Sequence, residues 1–308
     1  MQRTLFSDVV PPDETSLVLF HDERKVGKQW LYHGVLLVPE ENVQLVLAKL
    51  GDIRALHGYC GEVHFAELRN LPNHLYGEKC AVARDWIRLF LDEACKLSYF
   101  SMLGVDLTMI DWRRFGQGID ATRTQAEETM YYRFLEMAVY SACRWFFGEH
   151  AKVRLQGMFK DKGADRRRLL ERVPSKLSRR SWGALDVQFT SMQPIDSDHE
   201  QETRIPEYSH IIQYVDVLIG SASQVLDNSS RKAGICCVAS EMVPWVKRAT
   251  QKPYNPKSEY YKRYALSFFP KVAVRNPQLS GQETQDSFYH NRRLLFCQRD
   301  QKTLWPDI

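Results

Sequence analysis

The sequence predicts an α/β protein built on a mixed sheet with helices packed on it. Two observations carry that prediction. Two apolar runs, Leu17–Phe20 and the segment 29–38 (QWLYHGVLLV), are separated by the polar stretch 22–28 (DERKVGK), the pattern of an antiparallel hairpin. After the hairpin, strand-like segments alternate with segments of helical periodicity, which implies a sheet carrying helices. The 308 residues are 44% hydrophobic, ample for a core, and contain no apolar run of membrane-spanning length.

The elements follow in order. The first strand, Ser16–Asp22 (SLVLFHD), is continuous enough in its apolar centre to be covered on both faces, and Asp22 closes it. Pro39 ends the second strand. Val43, Val46, Leu47, Leu50 and Ile53 then fall at helical spacing. The short run Glu62–Phe65 (EVHF) reads as a strand whose alternation sets Glu62 and His64 on one side, Val63 and Phe65 on the other. A helix over 79–96 turns Val82, Trp86, Leu89 and Phe90 inward, and a strand over Leu97–Asp106 follows, closed by Asp106. Thr124 and Glu127 form a capping box opening a long helix to about Phe147. Val153–Phe159 is a strand with Asp161 just beyond it. Leu185–Met192 alternates like another strand, and 193–205 is a polar, acidic loop with solvated Asp196, Asp198 and Glu200. Pro206 stands where a helix begins, and Ile211, Ile212, Val215, Leu218, Ile219 and Ala222 form its apolar stripe. Past residue 245 the pattern is irregular. The expected organisation is one domain over 1–245, with 246–308 as an extension packed on it.

The net charge of +4 is weak evidence for an anionic partner, but its distribution is informative. Residues 160–180 (KDKGADRRRLLERVPSKLSRR) are densely basic, and the C-terminal third sets Lys and Arg among Tyr and Phe, a composition suited to phosphate contact and base stacking. Lys160, Lys162, Arg166, Arg167 and Arg168 are the candidate nucleic-acid contacts; the alternative is a solvated charged face. Seven scattered cysteines without a CxxC pair suggest neither a zinc ribbon nor a disulfide framework. The N-terminal segment MQRTLFSDVVPPDE lacks a signal-peptide apolar region, so the expected location is cytoplasmic, with no membrane partner.

Carboxylates at the ends of buried elements carry the functional reading. Asp22, Glu62, Asp106, Asp161 and Asp216 are spread over the chain, and a fold that gathers them creates mutual repulsion that invites a divalent cation. Asp216 is the most pointed, because in IIQYVDVLIG a lone Asp on an apolar helix needs a partner. Ser209, Gln213, Asp216 and Gly220 run along one edge of that helix. His64 would orient a carboxylate, contact phosphate or ligate metal. A turn-capping role for Asp22 and a satisfied core role for His64 are the bland alternatives. No GxxxxGK[ST], GxSxG or HExxH motif occurs, which argues against a P-loop NTPase, a serine hydrolase and a zinc protease.

Three of these segments together, the strand ending Asp22-Glu23, the Glu62-Val-His-Phe65 run and the Gln213-Tyr-Val-Asp216 helix, resemble the domain-of-unknown-function family 3800 over roughly residues 15–245. The resemblance implies a ribonuclease H-like fold and a nuclease activity of the kind found with mobile elements or phage defence. It also implies that Asp22, Glu62 and Asp216 bind metal, with Asp106 or Asp161 completing the set. Two departures stand out: Arg24-Lys25 replaces the family's Ser-Gly, and Tyr214-Val215 replaces Leu-Ala.

The expected function is a phosphodiesterase acting on DNA or RNA with Mg²⁺ or Mn²⁺. Two ions would be held by Asp22, Glu62, Asp216 and one of Asp106 or Asp161. The alternatives are a non-catalytic nucleic-acid- or partner-binding subunit of the same fold, and a metal-dependent hydrolase of a small phosphorylated substrate. A second copy of the chain or a defence-system protein is the further partner considered.

Overall fold

The computed structural model describes residues 14–92, 96–110, 122–148, 150–160, 185–250 and 263–269. Strands β1 (Thr15–Val26) and β2 (Trp30–Pro39) form the antiparallel hairpin, from Leu17↔Pro39 to Val26↔Trp30. The first strand therefore runs four residues past Asp22, and the turn falls on Gly27, whose φ of 57° is a region other residues enter reluctantly. The polar string DERK is strand because Arg24 continues the alternation onto the face that Asp22 occupies.

The sheet has six strands in the order β5-β4-β1-β2-β3-β6. Strand β3 (Tyr99–Asp106) is antiparallel to β2; β4 (Lys152–Lys160) is parallel to β1, β5 (Asp186–Ile195) to β4, and β6 (Tyr264–Phe269) to β3. Only β2 runs against the rest. A β1–β2–β3 meander with β4 and β5 added in parallel beside β1 is the ribonuclease H-like arrangement that was expected. Strand β6 was not expected; the short run YALSFF falls in a stretch without periodicity, and it extends the sheet past residue 245.

Alternate residues of the strands feed two cores. Leu17, Leu19, Val35, Leu103, Val105 and Leu155 pack with Phe134, Leu135 and Ala138 of α3 (Arg123–Phe147). Its cap lies two residues before the expected Thr124. Thr122 and Gln125 form the capping box, which frees Arg123 to pair with Glu127 at 3.1 Å.

Val18, Phe20, Tyr32, Phe100, Met102 and Phe268 face the other way, toward α1 (Val43–Leu56), α2 (Glu78–Leu91), α4 (Pro206–Asp227), α5 (Ala233–Ser240) and α6 (Val243–Thr250). Helix α4 lies across β1 and β2 and is buried on nearly every side from Ile211 to Leu226. A helix so enclosed has no water for its polar residues, so Gln213 and Asp216 must be satisfied by protein or ligand. Gly220 lets α4 approach Phe65, since a β-carbon there would collide with the Phe65 ring. Among the described residues no helix is long and apolar enough to cross a membrane.

Candidate active site

The 62–65 segment is not a strand. It is extended, with His64 at φ −112° and ψ 124°, but it turns into a 3₁₀ turn over Phe65–Glu67 and joins no sheet. Its backbone is held by side chains of α4 instead. Gln213 Oε1 accepts the N–H of Val63 at 3.0 Å, and Asp216 Oδ2 accepts that of Phe65 at 2.8 Å. One helical turn on α4 thus matches a two-residue repeat in the extended chain. Val63 and Phe65 are fully buried, while Glu62 and His64 point together toward partial exposure, as the alternation predicted.

Gln213 does more than hold Val63. Its Oε1 also accepts from Arg54 Nη2 at 2.5 Å, and its Nε2 donates to Ser197 O at 2.6 Å, tying the loop after β5 to the same helix. Arg54, from α1, donates its other terminal nitrogen to Gly61 O at 2.7 Å. Sequence reasoning placed Gln213 beside Asp216 but gave it no task, and it missed Arg54 altogether. An Arg on the apolar face of α1 was the available signal, because a buried guanidinium must find acceptors.

Asp22 is wholly buried on β1. Its Oδ1 accepts the N–H of Glu23 at 2.8 Å and its Oδ2 accepts from Lys160 Nζ at 3.2 Å. The parallel register, which runs to His21↔Phe159, brings Lys160 beside Asp22 on the α4 side of the sheet. Burial works against the charge of the Lys160 ammonium, but Asp22, Asp216 and Glu62 outweigh it, and its pKa is raised. Three carboxylates from β1, the 62–65 segment and α4 therefore act on one cation. Lys160, expected as a nucleic-acid contact, is in the first place the counter-ion of Asp22, with only 18% of its side chain exposed.

His64 completes the group. Its Nδ1 lies 3.2 Å from Asp216 Oδ2 and 3.2 Å from the N–H of Ala66. A single ring nitrogen cannot accept from Ala66 and donate to Asp216 at once, so the two contacts belong to different protonation states or tautomers.

Arg24 stands two residues beyond Asp22 on the same face. Its guanidinium lies 4.9 Å over the Phe65 ring. Burial lowers its pKa, opposed by Asp216, Asp227, Tyr32 and Asp22. At the C-terminal end of α4, Asp227 Oδ2 accepts from the Tyr32 hydroxyl at 2.8 Å. Burial lifts the Asp227 carboxyl to about 6, against the pull of Tyr32 and Arg24.

Asp106 is not part of this site. In register, Asp22 is level with Gly34 and Gly34 with Met102, so Asp106 stands two strands across and four residues further along, roughly 13 Å along the strand direction alone. Its Oδ1 accepts from Thr108 N at 3.0 Å and from the Thr108 hydroxyl at 2.6 Å, and its Oδ2 accepts from Gln29 at 3.2 Å. It caps the 3₁₀ turn that follows β3, the ordinary use of a strand-end Asp. Asp161, Lys162, Arg166, Arg167 and Arg168 lie outside the described residues.

A divalent ion fits this group only in part. Among the described residues no three His, Cys, Asp or Glu side chains are disposed around one metal position. The oxygens of Asp22 and Asp216 are nonetheless the donors a hard cation prefers, and the Lys160 ammonium already stands in their field as a cation would. Mg²⁺ keeps several waters and needs few protein ligands. An ion bound between Asp22 and Asp216 would have to displace the Lys160 ammonium, which now pairs with Asp22 at 3.2 Å.

Compared with known proteins, the chain matches no protein-family model and no curated protein sequence. The fold and this site define an α/β protein of ribonuclease H-like topology in which Asp22, Asp216 and Glu62 act on the Lys160 ammonium beside α4.

Proposed function

We propose that the protein is a divalent-metal-dependent phosphodiesterase acting on DNA or RNA, of the kind that its resemblance to family 3800 implies. The observation that carries this reading is the convergence of Asp22, Asp216 and Glu62, far apart in sequence, on a single cation at Lys160. Asp22 and Asp216, with Glu62 at the more open side, would hold Mg²⁺ or Mn²⁺. When bound, the ion supplies an activated water and a Lewis acid for the phosphodiester. Gln213 and Asp216 keep the 62–65 segment extended, so that Glu62 and His64 share its partly exposed side. His64 Nδ1, at 3.2 Å from Asp216, is placed to exchange a proton with that carboxylate or with water beside it. Lys160, released from Asp22, would offset charge developing on the phosphate.

The Lys160–Asp22 ion pair supports a second reading, a nucleic-acid-binding subunit that keeps the fold and has filled its metal position with its own ammonium. Mn²⁺ titration separates the two. The enzyme reading expects the parent to bind Mn²⁺ and Asp22→Asn and Asp216→Asn to lose it while staying folded. Equal binding by parent and both variants, or none by any, favours the subunit.

A further inference from the structure

Arg24 occupies an unusual position for a guanidinium. It is partly exposed, its guanidinium carbon stands 4.9 Å from the centre of the Phe65 ring, and three carboxylates, Asp216, Asp227 and Asp22, are close enough to influence it. Yet it makes no ion pair or hydrogen bond with any described residue, and its Nε is buried without a partner. Asp22 spends its Oδ2 on Lys160 and Asp216 spends its Oδ2 on Phe65, while Asp227 takes the Tyr32 hydroxyl. A cation placed to balance these acids would be bonded to one of them. This one rests over an aromatic ring, a contact that holds the charge without using its N–H donors.

We propose that Arg24 takes a phosphate oxygen of the substrate and holds that phosphate beside Asp22 and Asp216. A planar guanidinium with unused donors, braced on an aromatic ring, matches the oxygens of a phosphate group in a way an ammonium does not. The position follows from β1 running past Asp22: two residues further along a strand returns the side chain to the same face. The carboxylates repel an anion, and the positive charges of Lys160 and Arg24 beside them offset that repulsion. The proposal rests on the phosphodiesterase reading, and it adds the residue that grips the substrate. It also accounts for Arg24 standing where the resembled family has Ser.

The test is binding, not turnover. Short labelled single-stranded DNA and RNA, and separately inorganic phosphate, are titrated onto the parent, Arg24→Lys and Arg24→Gln, in EDTA and in Mg²⁺, over a range of salt. Arg24→Gln is expected to weaken oligonucleotide binding by about tenfold and to lower the slope of log affinity against log salt by about one. Arg24→Lys keeps the charge but not the fork, so it should retain the slope and lose part of the affinity. If Arg24→Gln fails to fold, this variant decides. Weakening toward inorganic phosphate as well points to a small phosphorylated substrate, and weakening toward oligonucleotides alone to a phosphodiester; both support the proposal. Parent-like affinity and slope in a folded Arg24→Gln, parent-like affinity in Arg24→Lys where only that variant folds, or no binding of any probe by the parent, overturns it. A parent that never cuts but loses binding with Arg24→Gln keeps the phosphate grip and removes only the catalytic reading.

Discussion

Asp216 Oδ2 accepts the backbone N–H of Phe65 at 2.8 Å, a bond that joins positions 151 apart in the chain. It makes one carboxylate both a structural pin and a candidate ligand. Replacing it with Ala strands a buried N–H, and such a loss costs about 1–3 kcal/mol. Asp216→Asn keeps an acceptor and should lose well under half as much stability while losing the negative charge. Urea unfolding of the two variants checks this; equal destabilisation would show that the N–H bond carries none of the effect.

Gln213 ties α1, the 62–65 segment and the loop after β5 to α4. Gln213→Ala removes the acceptor of Val63 and of the Arg54 guanidinium together, and the donor to Ser197. A loss of roughly 2–4 kcal/mol is expected, because one of the abandoned partners is a buried charge. Hydrogen exchange should rise at 61–65 and at 196–198 and remain unchanged in β3, to which Gln213 makes no hydrogen bond.

Lys160 and Asp22 test the electrostatics. Lys160→Met leaves the wholly buried Asp22 carboxylate without its ammonium. The expected cost is about 2–3 kcal/mol at neutral pH, somewhat below a fully buried pair because Glu23 N still donates to Asp22. Mg²⁺ should stabilise this variant more than the parent, since the cation position is then open. Melting temperatures with and without Mg²⁺ measure both effects.

Asp227 and His33 pull the pH dependence of stability in opposite directions. Burial raises the Asp227 carboxyl from 3.8 to about 6, so its share of stability is intact below 3.8 and lost as pH rises through 6. That is a penalty at neutral pH of up to about 3 kcal/mol. Burial lowers His33 from 6.5 to about 3, so its share is intact above 6.5 and lost as pH falls from 6.5 toward 3. His210, lowered to about 4 by burial and by Arg54 and His199, acts in the same sense as His33. Asp227→Asn should therefore raise stability at pH 7, lose that advantage by about pH 4, and show a steeper fall between. Denaturant midpoints across that range check it.

The sequence made the hairpin, the α4 stripe and the Glu62/His64 alternation legible, because each is a local periodicity. The placement of Asp216 as a buried acid needing a partner was legible for the same reason. The partners were not. That Asp22 meets Lys160 depends on a parallel register between strands joined by a long excursion, and nothing local encodes it. The end of β1 was misread because DERK is polar, whereas its extension is rewarded by Arg24 lying over Phe65, a residue some forty positions later. The 62–65 run has the alternation of a strand, yet its backbone is satisfied by Gln213 and Asp216 side chains instead of a ladder. Asp106 shared every local sign with Asp22; the register alone sets them apart.

The most direct measurement is cleavage of a panel of labelled DNA and RNA by the parent and by Asp216→Asn, each in Mg²⁺, Mn²⁺ and EDTA. The account predicts metal-dependent cutting by the parent, none in EDTA, and loss of at least about a hundredfold in the folded variant. Cutting by Asp216→Asn at the parent's rate, or cutting that survives EDTA, would contradict it.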